Sequence, residues 1–342
     1  MKTLQHKRST SLFSPLSIAM ALMLACSSAV FAAPDDAVSS DGSEVATSGG
    51  SASGTEANRE GAYGGVDRPT EQDLLDTGAQ VYPDGVVPAE VLDQEKNMTA
   101  PPLPFGAGTE GANSESVIGS FDTRQNLYTI EYPTRAVALI TWRIGNGTAG
   151  RTGWMIGADT VLTAAPFVHP GDGTNFYDVN SYTIYPGRDG GSAPYGSCGA
   201  VSLHTVNGWA NNGSRKYDYG AIKLNCTIGN TVGWFGWWWT TNSLKHQPTI
   251  IQGYPGDKPS ATQWLSADKV RCEGTHNIYY KNDTAGGMSG SPIWNDGKFD
   301  GPYAIGIHAY GVFGTSGCKS KFNSGTRIRK AVSNNMKAWR DL

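Results

Sequence analysis

The stretch Asp283-Thr284-Ala285-Gly286-Gly287-Met288-Ser289-Gly290-Ser291-Pro292 carries the strongest fold information in this chain. It places Ser289 on a turn walled by glycines, which adopt backbone conformations that other residues avoid. A serine hydroxyl is a poor nucleophile unless it has a neighbouring base, a group that orients the base, and N–H donors for the oxyanion. The backbone N–H groups of Gly287 and Ser289 can supply those donors. The stretch therefore predicts a nucleophilic serine of the kind used in acyl transfer.

Short β-type runs, broken by Gly, Pro, Asn and Asp, surround this turn from Ser116 onward. They are Ala136–Thr141, Val161–Thr163, Tyr182–Tyr185, Ala221–Leu224, Thr249–Gln252, Ile278–Tyr280, Pro292–Trp294 and Ala304–His308. Such a pattern predicts an all-β barrel or sandwich, and residues 116–342 suffice for two small β-barrels side by side. One helix is expected at about Arg329 to Trp339, where apolar residues recur at helical spacing.

The first 33 residues have the layout of an export signal. Three basic residues in the first eight positions precede an apolar run at about 16–25 and the small-residue end Val30-Phe31-Ala32. This layout predicts a signal peptide over 1–33 and a secreted protein. A lipoprotein box at Leu24-Ala25-Cys26 is an alternative. No later segment has the roughly 20 continuous apolar residues of a membrane span, so no membrane association is predicted.

Residues 34–115 form an acidic, low-complexity segment rich in Gly, Ser, Thr and Pro, for which we predict a disordered propeptide. This segment holds 16 acidic and 3 basic residues, a net charge of −13, whereas residues 116–342 hold 14 acidic and 21 basic residues, a net charge of +7. The propeptide can therefore be held electrostatically against the domain as its partner, or it can simply aid solubility. No Lys/Arg cluster is present, so no nucleic-acid partner is expected.

Four cysteines follow the signal region: Cys198, Cys226, Cys272 and Cys318. An even number in an exported chain favours two disulfides, and the spacings match no zinc site. Three pairings are possible. We favour Cys198 with Cys226 and Cys272 with Cys318, because each pair keeps its loop within one half of the domain.

The Trp-rich run from Trp234 to Trp239 has two interpretations. It could form a carbohydrate-binding platform. Alternating aromatic residues on a strand more often fill a core or the seam between two barrels, which is the interpretation we favour.

Together with the Ser289 stretch, a series of ordered motifs resembles the bacterial glutamyl endopeptidase (V8-like) group of trypsin-like serine proteases. The motifs are Ser116-Val117-Ile118-Gly119-Ser120, Thr152-Gly153-Trp154-Met155-Ile156-Gly157, Val161-Leu162-Thr163-Ala164-Ala165, Tyr217-Asp218-Tyr219-Gly220-Ala221-Ile222, Gly253-Tyr254-Pro255-Gly256-Asp257-Lys258 and Gly325-Thr326-Arg327-Ile328. The resemblance covers residues 116–342. It implies two six-stranded antiparallel β-barrels and a C-terminal helix, with the site in the cleft between the barrels.

The resemblance also implies roles for individual residues. Ser289 matches the nucleophile, Gly287 the oxyanion-hole glycine, and Asp218 the buried carboxylate that orients a histidine. His308 matches the histidine that faces a substrate glutamate, with Thr284 in the same pocket, and an imidazole with a hydroxyl can donate to a carboxylate. A polypeptide with an acidic side chain is therefore the expected partner.

Maturation has its own signals in the sequence. Met288 stands where chymotrypsin-type enzymes carry the aspartate that receives a new N-terminus, so that activation switch is absent. The V8-like resemblance implies that the freed amine lies near the pocket instead. The bond Glu115–Ser116 is itself a cut after Glu, which predicts a zymogen matured by a Glu-specific protease.

The chain departs from the family at the general base. The family motif Thr-Ala-Gly/Ala-His-Cys corresponds here to Thr163-Ala164-Ala165-Pro166-Phe167, so Pro166 stands in place of the histidine. Arg151 and Phe167 stand where the family has two bridged cysteines. Proline cannot accept a proton and lacks a backbone donor. Loss of a triad member leaves only about 10³- to 10⁴-fold catalysis over water.

His169 is the candidate substitute base. In a 3₁₀ turn its side chain would eclipse position 166, although a shift of one turn would be needed to bring the imidazole into place. The alternative is an ordinary loop histidine. His204, His246 and His276 match nothing catalytic and are expected to be structural.

Two functions follow from the sequence. The first is a secreted serine endopeptidase that cleaves after Glu, or less readily Asp, through a Ser289 acyl-enzyme, with activity impaired by the loss at Pro166. The second is a non-catalytic pseudoprotease that binds peptides or acts as a decoy. A carbohydrate-binding protein is a distant third. No cofactor and no metal are expected, and a monomer is predicted.

Overall fold

The computed structural model describes residues 32–43, 62–63, 116–144, 147–295 and 302–342. The predicted signal peptide, its lipoprotein alternative at Cys26 and most of the predicted propeptide lie outside these residues. Within the described residues, no helix is long and apolar enough to cross a membrane.

Strands dominate the described residues, as predicted. They are β1 (Ala37–Ser39), β2 (Ala62–Tyr63), β3 (Gln125–Asn126), β4 (Val137–Ile144), β5 (Gly147–Met155), β6 (Thr160–Thr163), β7 (Thr183–Pro186), β8 (Ala200–Val206), β9 (Gly220–Leu224), β10 (Gly236–Trp238), β11 (Pro248–Gly253), β12 (Trp264–Glu273), β13 (Asn277–Tyr280), β14 (Pro292–Asn295), β15 (Tyr303–Tyr310) and β16 (Asn323–Arg327). The helices are α1 (Asn207–Ala210), α2 (Gly229–Val232) and α3 (Lys330–Arg340).

The strands form two sheets. The first has the order β1-β8-β9-β6-β5-β4-β7, and an isolated bridge between Ile184 and Cys198 joins β7 to the start of β8. The second has the order β14-β11-β12-β13-β16-β15-β10-β2, and β14 also pairs with β15, which closes a six-stranded barrel from β11 to β16. The all-β architecture with six central strands in each sheet is thus confirmed.

The apolar residues of the predicted helix are part of the hydrophobic core. In α3, Val332, Met336 and Trp339 are fully buried against the larger of two core clusters, as the helical spacing predicted. Trp237 lies in this larger cluster, while its neighbour Trp238 lies in the smaller one. The Trp-rich run therefore fills the core at the seam between the sheets, and the favoured interpretation of that run is confirmed.

Two disulfides are present, Cys198–Cys226 and Cys272–Cys318, with Cα–Cα separations of 6.0 and 6.4 Å. The favoured pairing is confirmed. One bridge lies beside the first sheet, and the other ties β12 to the loop after β15.

Two short pieces of the acidic segment are ordered on the sheets. β1 pairs antiparallel with β8 at the edge of the first sheet, and β2 pairs antiparallel with β10 at the edge of the second. Composition alone did not predict these contacts.

Candidate active site

The Ser289 turn lies between β13 and β14 and depends on two glycines with positive φ. Gly287 has φ +106° and Gly290 has φ +91°. A Cβ atom at Gly290 would lie 2.1 Å from the Thr152 carbonyl oxygen, and one at Gly287 would lie 2.4 Å from the Tyr254 carbonyl oxygen. Only glycine fits these positions, since both the backbone conformation and the space exclude a side chain.

Thr152 of the first sheet holds this turn of the second. Its Oγ1 donates to the Gly287 carbonyl at 2.8 Å and accepts from the Tyr254 N–H at 2.9 Å. Its backbone N–H donates to the Ser289 carbonyl at 3.3 Å. The serine turn is therefore fixed in the cleft between the two sheets, where the family resemblance expects it.

Ser289 is almost fully buried, and its Oγ donates to the Ala309 carbonyl at 3.2 Å. Ala309 lies on β15, directly after His308. This hydrogen bond directs the hydroxyl proton to a main-chain oxygen, which accepts a hydrogen bond but is not a general base at neutral pH.

Asp218 lies just before β9 and is completely buried. Its Oδ1 accepts from the Ala165 N–H at 2.8 Å, and its backbone carbonyl accepts from the Thr326 hydroxyl of β16 at 2.7 Å. Burial raises the pKa of the Asp218 carboxyl to about 6. The carboxylate is therefore fixed beside the turn that begins at Ala165.

Pro166 is the middle residue of that 3₁₀ turn, Ala165–Phe167. A proline fits the first turn of a helix because the N–H that it lacks would have no partner within the helix. The adjacent N–H of Ala165 donates to Asp218, whereas Pro166 has no N–H to donate. A residue whose side chain has no proton acceptor thus directly follows the residue that donates to the Asp218 carboxylate.

Arg151 and Phe167 contact each other. The guanidinium carbon of Arg151 lies 5.5 Å from the centre of the Phe167 ring, within the range of a cation–π interaction. The two positions where the resemblance places bridged cysteines are thus neighbours in space. A non-covalent contact stands at the site of the missing disulfide.

The structure does not bring His169 to Ser289. The Gly171 N–H donates to Nδ1 at 2.9 Å, so the ring proton is on Nε2, which donates to the Thr174 carbonyl at 2.8 Å. Burial lowers the pKa of His169, which keeps this ring neutral. Both ring nitrogens are therefore occupied within the histidine's own loop, and the residue is buried where the alternative interpretation expected a surface loop.

Tyr310 lies beside Asp218, and the sequence analysis missed it. Its hydroxyl is buried although its ring is partly exposed. Burial and the nearby Asp218 carboxylate raise the pKa of the phenol well above its ordinary value, while the hydroxyl in turn lowers the pKa of the carboxyl. On its other side the Tyr310 ring lies 4.6 Å from the Arg215 guanidinium carbon. The Asp218 carboxylate thus has a tyrosine hydroxyl as a neighbour.

His308 and Thr284 lie against the serine turn. The His308 carbonyl accepts from the Gly290 N–H at 2.7 Å, and Nδ1 of its buried ring is 2.6 Å from the Tyr280 hydroxyl. Thr284 is fully buried, and its Oγ1 accepts from the Asn323 amide at 3.0 Å. The backbone of His308 therefore contacts the serine turn, whereas the His308 and Thr284 side chains contact Tyr280 and Asn323.

Ser116 lies at the same place. Its carbonyl accepts from the Thr284 N–H at 3.2 Å and from the Asn323 side chain at 2.5 Å. Asp283 holds the residues that follow, because its carboxylate accepts from the N–H groups of Ile118 at 2.6 Å and Thr123 at 2.8 Å. A chain end created at Ser116 would start beside Thr284.

Two known proteases are similar in sequence to this chain over about two thirds of its length. The glutamyl endopeptidase of Bacillus licheniformis is 40% identical over 231 residues, which cover 66% of this chain and 70% of that protein. A protein described as an extracellular metalloprotease of Bacillus subtilis is 36% identical over 228 residues, 66% of this chain and 69% of that protein. No protein-family model matches the chain.

Solved structures of proteases match the fold of this chain. A Glu endopeptidase in complex with MPD matches with a TM-score of 0.57 and 28% identity, covering 66% of this chain and 100% of that one. The protease Anisep from Arthrobacter nicotinovorans matches with a TM-score of 0.51 and 20% identity over 63% of this chain and 99% of that one, which shows the fold.

Proposed function

The chain belongs to the glutamyl endopeptidase family of V8-like, chymotrypsin-fold serine proteases, and on that premise we propose that it is a secreted pseudoprotease. In this proposal the cleft binds polypeptides through an acidic side chain but turns them over far more slowly than its relatives. Polypeptide recognition follows from the family, and the loss of turnover follows from Pro166.

The observation that carries the proposal is the neighbourhood of Asp218. The carboxylate that should orient a general base accepts from Ala165, and the next residue, Pro166, offers no proton acceptor. His169 uses both ring nitrogens within its own loop. Without a base, the Ser289 hydroxyl keeps its proton and attacks a carbonyl poorly.

A preference for Glu is supported by the residues around the pocket. His308 and Thr284 can donate to a carboxylate, and the Ser116 carbonyl hydrogen-bonded to the Thr284 N–H would place a freed amine nearby. A positive chain end and two donors favour an anionic side chain over its neutral analogue. We extend the proposal to a peptide partner with Glu, or less readily Asp, at this position.

The serine turn favours a second candidate, a slow glutamyl endopeptidase. Gly287 and Gly290 keep the positive φ values that the oxyanion turn requires, and Asp218 stays buried beside it. An oxyanion hole and substrate binding alone sustain about 10³- to 10⁴-fold catalysis over water in serine proteases.

One experiment separates the two candidates. The mature protein is incubated with an organophosphonate probe and with matched peptides containing Glu or Gln, and labelling, cleavage and binding are measured. The pseudoprotease predicts preferential binding of the Glu peptide with neither labelling nor cleavage. Labelling of Ser289 together with cleavage after Glu would support the slow enzyme instead.

Two control variants make the result specific. Ser289→Ala should abolish any labelling and leave the preference for Glu over Gln unchanged, because the proposal assigns that preference to His308 and Thr284. His308→Phe should remove the preference for Glu over Gln. Equal binding of the Glu and Gln peptides by the parent protein would contradict the proposal that the pocket recognises an acidic side chain.

The maturation pathway is part of the same proposal. Export with loss of residues 1–33, cleavage of the propeptide 34–115 from the domain as in a zymogen and a monomeric product are supported by the signal layout, the charge contrast and the Glu115–Ser116 bond. N-terminal sequencing of the domain should give Ser116, and light scattering should show one copy of the domain in each particle. A different N-terminus would contradict this pathway.

A further inference from the structure

β8 has an open edge over its C-terminal half. Just before β8, the backbone of Cys198 forms an isolated β-bridge with Ile184 of β7. The opposite edge of β8 pairs with β9. Residues 204–206 pair instead with β1, in the register Ala37 with Val206, Val38 with Thr205 and Ser39 with His204. An unpaired strand edge is a template for an added strand, and the acidic leader fills it here.

Asp35 anchors the segment next to β1. Its carboxylate pairs with the Arg329 guanidinium at 2.9 Å and lies 3.4 Å from the Tyr219 hydroxyl. Its backbone carbonyl accepts from the Asn335 side chain at 2.9 Å. Arg329 directly precedes α3, Asn335 lies in the middle of α3 and Tyr219 directly precedes β9, so one leader residue contacts three residues of the domain.

Main-chain hydrogen bonds extend the contact on both sides of β1. The Pro34 carbonyl accepts from the Gly208 N–H at 2.8 Å, and the Asp36 carbonyl accepts from the Asn207 N–H at 2.9 Å. A Cβ atom at Gly208 would clash first with the Tyr217 ring of the domain and would also lie 2.9 Å from the Pro34 oxygen, so both neighbours favour a glycine here. Beyond β1, the Leu203 N–H donates to the Ser40 hydroxyl at 2.9 Å.

A second piece of the leader covers the other sheet. β2 pairs antiparallel with β10, in the register Trp237 with Tyr63 and Trp238 with Ala62. β10 is joined on its other side to β15. The leader therefore adds a strand to an edge of each sheet.

We infer that the β8 and β10 edges form a docking surface for the chain's own leader, through residues 34–43 and 62–63, and that the leader stays bound to residues 116–342 after the chain is cut at Glu115–Ser116. The inference is independent of which of the two functions the cleft performs. The cleaved leader is then a non-covalent subunit of the secreted protein and does not dissociate from the domain.

General attraction between charges of −13 and +7 is the competing explanation. Such attraction does not depend on which aspartate is changed, and it is screened at 1 M salt, where the Debye length is about 3 Å. The strand pairing and the partly buried ion pair between Asp35 and Arg329 persist in 1 M salt. The two explanations therefore differ in residue specificity and in salt dependence.

The experiment uses the full secreted chain with a site-specific protease sequence inserted between Glu115 and Ser116. After cleavage, size-exclusion chromatography and native mass spectrometry measure whether the leader stays with the domain at 0.15 and 1 M NaCl. We expect co-elution at both salt concentrations. Asp35→Asn should weaken leader binding about tenfold, since it removes a charge-assisted contact.

Asp36→Asn is the matched control, because it makes the same charge change one residue away. The Asp36 carboxylate accepts from the N–H of Ala33, a residue that is lost with the signal peptide, and the contact of Asp36 with the domain is through its carbonyl. This variant should change binding less than twofold. Hydrogen exchange adds a second measurement: the amides of Leu203, Asn207 and Gly208 should lose protection only when the leader is removed.

Two results would overturn the inference. One is separation of the cleaved leader from the domain at micromolar concentration and 0.15 M NaCl. The other is an equal loss of binding in Asp35→Asn and Asp36→Asn together with release at 1 M NaCl, which would show attraction between net charges only.

Discussion

Pro166 and Tyr310 affect which groups can hydrogen-bond to the Asp218 carboxylate. In a working triad the carboxylate accepts the ring N–H of a histidine, and here the Ala165 N–H and the Tyr310 hydroxyl are its neighbours. We predict that Pro166→His increases cleavage of a Glu peptide about a hundredfold, the lower end of general-base effects. Pro166→His with Tyr310→Phe should gain more, because the tyrosine hydroxyl no longer competes for the carboxylate. Steady-state kcat/KM measures both gains.

Pro166→Ala is the control for these variants, since it restores a backbone N–H without adding a base. It should leave activity unchanged. A gain in Pro166→Ala equal to that in Pro166→His would show that proline geometry, and not the missing imidazole, limits the parent. No gain in either histidine variant would show that position 166 is not the base position.

The pKa of Asp218 makes a prediction about stability. Burial raises it to about 6, against 3.8 as a reference value, so the folded protein holds its proton more tightly than the unfolded chain does. The contribution of Asp218 to the free energy of unfolding is therefore most favourable below about pH 4, and it is lost as pH rises through about 6. At pH 8 the buried carboxylate lowers the free energy of unfolding by about 3 kcal/mol. Asp218→Asn should remove this cost, which urea unfolding at pH 8 and pH 4 measures.

Asp283→Asn is the contrasting control. Asp283 is also buried, but it accepts from the N–H groups of Ile118 and Thr123 and from the Thr123 hydroxyl. An amide replaces these acceptor contacts poorly, so this variant should be less stable than the parent at pH 8. A loss of stability in Asp218→Asn at pH 8 would contradict the predicted cost of the buried carboxylate.

At the residue scale, the sequence located Ser289 through its glycine turn, and the resemblance directed attention to Asp218, Pro166 and His308. Tyr310 was missed for a physical reason. The pairing of β15 with β16 shifts register between His308 and Tyr310, so simple two-residue alternation does not place the tyrosine side chain. One signal was available in the sequence: Tyr310, a large aromatic residue, comes two positions after His308.

At the level of elements, each of the eight predicted β-type runs overlaps a strand, usually to within one or two residues. Some of the strands that were missed are rich in polar residues. β16, Asn323–Arg327, is an example: its first four residues are buried although none is apolar. Asn323 and Thr326 are buried with their side chains hydrogen-bonded, to Ser116 and Asp218 among others. Apolar periodicity cannot detect a strand that is buried through hydrogen bonds.

The contact between β5 and the Ala165–Phe167 turn can be tested directly. Arg151 of β5 lies 5.5 Å from the Phe167 ring, and Phe167 also packs 5.5 Å from Trp142. A double-mutant cycle of Arg151→Met and Phe167→Leu should give a coupling energy of about 0.5 to 1 kcal/mol, typical of a partly exposed cation–π pair. Chemical denaturation of the four proteins measures it.

Arg143→Met on β4 is the control for the loss of one positive charge, because Arg143 is exposed. Its combination with Phe167→Leu should show no coupling. A coupling energy of zero for Arg151 and Phe167 would mean that their proximity contributes nothing to the link between β5 and the turn.

At the scale of the whole molecule, the charge contrast suggested an association between leader and domain but not its form. Residues 37–39 and 62–63 lack the apolar alternation of an independent strand. Their extended conformation is defined by pairing with β8 and β10, which are far along the chain. A strand of two or three residues gains its hydrogen bonds only from a partner, so local sequence cannot reveal it.

The two sheets also depend on each other at the cleft, and Thr152 joins them. Its hydroxyl donates to the Gly287 carbonyl and accepts from the Tyr254 N–H, and the side chain is completely buried. Thr152→Val keeps the shape but leaves two buried polar groups without this partner, so it should cost about 2 to 4 kcal/mol of unfolding free energy. It should also slow any labelling of Ser289, because Gly287 forms part of the same turn.

Thr141→Val provides the comparison within one sheet. The Thr141 hydroxyl donates to the Thr183 carbonyl at 3.2 Å, and both residues lie in the first sheet. Losing this single contact should cost about 1 kcal/mol and leave Ser289 unaffected. If Thr152→Val costs no more than Thr141→Val, the serine turn is held by its own sheet alone. If it costs more and slows labelling as well, the geometry around Ser289 depends on both sheets, because Thr152 belongs to one and the turn to the other.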